Sequence, residues 1–111
     1  MPTDSLHEFE LLVMAAALRL GPNEAYTVSI ADEITHRTGR SVRRANVFTT
    51  LQRLEDKGLV STRLGSPRAD RGGRPPRLVT VNAAGIKAVR ATTRAIQAMV
   101  GDLVDGLGET R

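Results

Sequence analysis

The stretch from Asn82 to about Leu107 is apolar at Ile86, Val89, Ile96, Val100, Leu103 and Leu107. The steps alternate between three and four, with Thr93 filling the one gap, which is the a/d seam of a helix that lies along another helix. Asn82 is a good N-cap, and the helix it opens would be roughly 38 Å long at 1.5 Å per residue. That is too long to be covered by a domain built from the rest of a 111-residue chain. The spacing therefore predicts a partner, most simply a second copy. The competing expectation is one broad face packed on its own domain, since Gly101, Gly106 and Gly108 weaken the distal seam.

The N-terminal part asks for cover in the same way. Ser5-Leu6-His7-Glu8 has the spacing of a capping box and predicts a helix that runs to about Leu20, where Gly21-Pro22 stops it. Phe9, Leu12, Val13, Ala16, Ala17 and Leu20 form one apolar stripe, and Leu11, Met14, Ala15 and Leu18 form a second. A small core does not easily cover both, so the second stripe is expected at a subunit interface or against an apolar ligand.

Between these helices the chain reads as two more helices and a hairpin. Thr27 is expected to cap a short helix that buries Val28, Ile30, Ala31 and Ile34 and ends near Thr38-Gly39, with Gly39 suited to the left-handed position after a helix. A third helix runs from about Arg43 to Lys57, burying Val47, Phe48, Leu51 and Leu54, and stops at Gly58. Leu59–Leu64 and Leu78–Val81 read as two short strands joined by a basic tip rich in Gly and Pro. No internal repeat is visible.

Charge is distributed unevenly along this order. Residues 1–42 carry three Arg against six acids, residues 43–77 nine Lys or Arg against three acids, and residues 78–111 four against three. The basic block coincides with the third helix and the hairpin, where neutralising phosphates would release condensed counterions. Phe9, Tyr26 and Phe48 are the whole aromatic complement. Proteins that grip single strands or RNA stack bases on exposed rings, so duplex DNA is the better fit.

A short helix and turn before a basic helix is the arrangement in which that second helix enters the major groove. Asn46, Thr49, Thr50 and Arg53 are placed opposite the apolar side of the third helix, and Arg43 and Arg44 at its start, where an anion would relieve their repulsion with the helix dipole. These types match base-edge recognition, Arg on guanine, Asn on adenine and the Thr methyl on thymine. In the wing, Arg68, Arg71, Arg74 and Arg77 are candidates for the phosphate backbone or the minor groove, with Tyr26 and Thr27 beside them. Leu11, Met14, Leu18, Ile86, Val89, Ile96, Val100 and Leu103 are the candidate dimer contacts.

Other chemistry finds little in the sequence. Without cysteine there is neither a disulfide nor a thiolate site. His7 and His36 stand apart from any second ligand, so no metal and no cofactor is expected, and no nucleophile or paired-acid motif points to an enzyme. The longest apolar run, Leu11–Leu18, is too short to span a bilayer, and a cytoplasmic protein is expected. The expected class is mainly α with a small β-hairpin wing. Residues 1–81 form a winged helix-turn-helix DNA-binding domain, and residues 82–111 a C-terminal dimerisation helix and tail.

Several segments resemble the PadR family of transcription regulators. They are Phe9–Leu20, Ala25-Tyr26, the run from Val47 to Val60 that includes Leu54-Glu55-Asp56-Lys57-Gly58-Leu59, the wing Arg71-Gly72-Gly73-Arg74, and Val79–Gly85. The resemblance implies a winged-helix dimer of the small branch with a single C-terminal helix. It further implies a repressor of nearby genes at a pseudo-palindromic operator, released by a small molecule or stress signal. Three positions depart from the family pattern. Thr27 replaces the glycine after Tyr26, Phe48 stands where a Tyr is usual, and Arg43-Arg44-Ala45 replaces the usual start of the third helix, leaving Ser41 as a substitute cap. Some small members bind flat drugs through a Trp in the last helix; this chain has no Trp, so that mode does not carry over and the effector is unknown. A winged-helix module that binds protein or ligand instead of DNA is the alternative.

Overall fold

The computed structural model describes residues 5–107, so Asp4, Gly108 and the end of the 82–111 tail lie outside the described residues. Helix α1 is Glu8–Leu20, and its N-cap is His7. The start lies beyond the expected Ser5 cap. Glu10, at the third helical position, accepts the His7 backbone N–H at 2.9 Å and is simultaneously held by Lys57 Nζ at 2.9 Å. Two donors converge on Glu10, which fixes the N-cap at His7 rather than at Ser5. Helix α2, Thr27–Thr38, begins in the same manner and has Tyr26 rather than the expected Thr27 as N-cap, with Ser29 Oγ accepting the Tyr26 N–H at 3.0 Å. It ends at Gly39, whose φ of 77° is the left-handed conformation that glycine adopts without penalty.

Helix α3, Arg44–Asp56, has Arg43 as N-cap and no side-chain capping bond, so Ser41 does not serve. It turns through Gly58 into a two-stranded antiparallel sheet, β1 Val60–Leu64 and β2 Arg77–Val81, in register from Val60 opposite Val81 to Leu64 opposite Arg77. The Val79 N–H also donates to Ala25 O at 2.8 Å, which moors the hairpin on the turn before α2. Helix α4 is Ala83–Leu107. Asn82 opens it as expected, its Oδ1 accepting the Gly85 N–H at 2.9 Å while its Nδ2 donates to Gly58 O at 2.9 Å.

The core collects Val13, Met14, Ile30, Ile34, Val47, Leu51, Leu54, Val60 and Val79, at least one from every helix and strand except α4, which adds Ala88. Each large member contributes about 1.5–3 kcal/mol by leaving water. Two expectations are corrected here. Met14, assigned to a subunit contact, is fully buried in its own domain, its Cε lying 3.0 Å from where a Cβ on Gly85 would stand. Phe48, assigned to the core, is 51% exposed, because Val47, Thr50, Leu51 and Leu54 already fill the inner side of α3.

Helices α1 and α4 run in opposite directions. Met14 meets α4 near Gly85, while the Leu6 N–H donates to Thr92 Oγ1 at 3.0 Å. Everything in α4 beyond Thr92 therefore projects past the start of α1. One face of α4 has two fates: Gly85, Ala88 and Thr92 are buried, whereas Ile96, Met99, Leu103 and Leu107 on the same face are exposed.

Candidate nucleic-acid interface

The buried side of α3 fixes what its outer side can offer. With Val47, Thr50, Leu51 and Leu54 inward, a turn of about 100° per residue puts Ala45, Thr49 and Gln52 outermost. Arg44 and Phe48 flank this line toward the hairpin, and Asn46 and Arg53 flank it toward α1; all seven are exposed. Of the predicted base-reading residues, Arg43, Arg44, Asn46, Thr49 and Arg53 lie on the accessible surface. Thr50 does not. At 4% exposure it faces inward beside Phe9 and cannot reach a base edge. Ala45, Phe48 and Gln52 were missed because the expected inner face included Phe48, which rotated the expected outer face away from the hairpin.

The start of α3 is bare. No side chain caps it, and neither Arg43 nor Arg44 has a carboxylate partner among the described residues. Unpaired amides and two free guanidinium groups at one helix end favour an anion.

The hairpin tip is folded back rather than loose. A 3-10 turn at Ala69–Arg71 is closed by the Gly73 N–H donating to Arg68 O at 2.9 Å. Gly72 and Gly73 have φ of 66° and 85°, which the reversal requires and a side chain would resist. Tyr26 is the tether. Its ring is buried, Arg68 and Arg71 lie over it at 5.4 and 5.3 Å, and its hydroxyl donates to Asp70 at 3.4 Å. Tyr26 is thus corrected from a DNA contact to the residue that seats the wing, a role its position before α2 did not reveal.

The wing arginines differ in availability. Arg68 is engaged by Glu24 at 3.5 Å and Asp70 at 3.4 Å. Desolvation opposes its charge, but Asp70, Tyr26 and Glu24 outweigh it and raise its pKa above the ordinary arginine value. Arg71 and Arg74 bond each other's backbone carbonyls, and Arg77 donates to Thr62 Oγ1 at 3.2 Å. None of these three has a carboxylate partner among the described residues. Thr27 is half-buried beside Phe48, Gln52 and Arg77.

Of the residues assigned to a dimer seam, Ile96 and Leu103 are well exposed on α4, Leu18 is exposed on α1, and Leu11 and Val100 are half-buried. Val89 is half-buried against the chain's own core, and Ile86 lies on the flank of α4 with Lys87, Arg90 and Arg94 rather than on the seam. Among the described residues no group of acids and histidines could hold a metal, and no helix is long and apolar enough to cross a membrane.

Three packed helices, a moored β-hairpin and a trailing helix define a winged helix-turn-helix fold. No protein-family model and no curated protein sequence matches the chain. Solved structures do. A PadR-like transcriptional regulator from Bacillus cereus superposes with a TM-score of 0.69 at 14% identity, over 91% of this chain and 94% of that one. A PadR family transcriptional regulator from Eggerthella lenta gives 0.63 at 22% identity, over 94% and 88%. BpsR from Bordetella bronchiseptica, whose DNA binding is regulated by 6-hydroxynicotinic acid, gives 0.68 at 21% identity, over 98% and 73%. The likeness is one of fold, and it agrees with the architecture that the residue pattern implied.

Proposed function

We propose that this protein is a homodimeric transcription regulator, with no catalytic activity, that binds duplex DNA at a pseudo-palindromic operator in the cytoplasm. The observation that carries the proposal is the exposed outer side of α3, with Asn46, Thr49 and Arg53 accessible beside Arg43 and Arg44, and a wing with Arg71, Arg74 and Arg77, these five arginines having no acidic partner among the described residues. In this arrangement α3 lies in the major groove and the wing follows the phosphates. The solved regulators of the same fold support the reading, and BpsR, governed by a small molecule, supports an effector of that kind here. Repression of nearby genes, relieved by such an effector, completes the proposal.

Dimerisation rests on α4. Its proximal turns are covered by the chain's own domain, and its distal turns carry Ile96, Met99 and Leu103 exposed to solvent. A second copy would cover them and place two recognition helices about one turn of DNA apart, roughly 34–36 Å. The test is titration of labelled duplexes, operator-selected and random, at two salt concentrations. Tight binding to the selected sequence supports the regulator. Neglect of both duplexes and of heparin favours the protein-interaction module.

A further inference from the structure

The outermost line of α3 contains an apolar group that the charge of the region does not explain. Ala45, Phe48 and Gln52 follow one another at helical spacing on the outer and hairpin-facing side, and Phe48 stands 51% exposed between the helix and the wing. Half of a phenyl ring left in water is unfavourable, and the core makes no demand for it, because Leu51 and Val47 occupy the inner positions. The recess beside it has an apolar floor of Leu51 and Val79 and a polar rim. Thr27, Gln52, Thr62 and Arg77 border the recess beside the ring. Glu55 lies there too, and it accepts the Thr62 hydroxyl at 3.3 Å, so its carboxylate is directed to β1 rather than outward.

We propose that Phe48, assisted by Ala45, reads the C5-methyl of thymine in the major groove, and that Gln52 pairs with a neighbouring adenine. The inference rests on the duplex-DNA reading above and names the base that this face selects. The chemistry fits the groove: thymine alone presents an apolar methyl at the major-groove edge, Ala and Phe are suited to contact it, and Gln matches the N6/N7 pair of adenine. Arg77, held by Thr62 on the adjacent strand, provides the cation that anchors a phosphate beside the ring. A second copy of the chain is disfavoured as the occupant, because Arg44 and Arg77, which have no carboxylate partner among the described residues, border this face and would repel their own copies.

The experiment begins with duplexes enriched by the intact protein from a random pool. Each thymine of the best duplex is then replaced singly by deoxyuridine, which deletes the methyl and leaves pairing unchanged. Wild-type protein loses about fourfold in affinity at one thymine per half-site, the value of one buried methyl. Phe48→Ala binds the thymine and uracil duplexes equally, and Phe48→Leu retains part of the preference. Enrichment without any uracil penalty in the wild-type protein overturns this proposal and leaves the regulator standing, and it requires no variant to fold. A penalty that survives in Phe48→Ala, or a change of oligomeric state instead of preference, also overturns it. Failure to enrich any duplex removes the DNA reading and this proposal together.

Discussion

Gly85 and Gly101 lie in the same helix and make opposite predictions. A Cβ on Gly85 would stand 2.3 Å from Leu59 O and 2.7 Å from Val81 Cγ1, and the backbone oxygen cannot move aside without disturbing the turn that Asn82 ties to α4. Gly85→Ala should therefore lower stability by about 1–3 kcal/mol or more. A Cβ on Gly101 meets nothing closer than Gln97 at 3.9 Å, so Gly101→Ala should raise stability by about 0.5–1 kcal/mol through helix propensity alone. Urea midpoints for the two variants check both signs. The sequence treats the two glycines alike, because close approach is a property of the tertiary neighbour. On the face proposed to read DNA, Asn46→Ala and Arg53→Ala should cost about 1–3 kcal/mol on the selected duplex and little on random DNA, whereas Arg71→Ala and Arg74→Ala should weaken both alike and flatten the salt dependence. Equal losses on the two duplexes for the first pair would contradict their role in reading bases.

At the scale of elements, the join between α1 and α3 rests on Glu10, nearly completely buried, and Lys57, about a third exposed. Burial opposes the Glu10 charge, but the His7 N–H and the Lys57 ammonium outweigh it and hold the carboxyl below its ordinary value of 4.5. A pKa depressed by folding means that the pair's contribution is complete above the ordinary carboxylate value and is lost as pH falls through the lowered native one. Glu10→Gln should cost about 1–2 kcal/mol at neutral pH, discounted for the exposure of Lys57, and the gap to the wild type should close in acid. Denaturation midpoints measured across that range decide it; a gap independent of pH would show that the pair contributes no charge interaction. The order of elements was legible in hydrophobic periodicity and in Gly21, Gly39, Gly58 and Asn82. What was not legible were the features set by contacts across the chain. The S-x-x-E spacing at Ser5 was outweighed by a lysine 47 residues away from Glu10, the tip of the wing is ordered by Tyr26, and Phe48 is pushed outward by better-placed neighbours.

For the molecule as a whole, the distal half of α4 and the exposed Leu18 call for a partner. Ile96→Asp combined with Leu103→Asp should convert a dimer to a folded monomer with helical content retained, and sedimentation equilibrium reads the change directly. A wild-type protein that sediments as a monomer at micromolar concentration would contradict the assembly. Two wings and two recognition helices on one dimer would then engage an inverted repeat. The measurement that reaches the central claim most directly is enrichment of duplexes from a random pool, followed by titration of the best one against its scramble at low and moderate salt. The account predicts an inverted repeat bound roughly a thousandfold more tightly than the scramble, with affinity for both falling as salt rises. Indifference to every duplex, even at low salt, would contradict it.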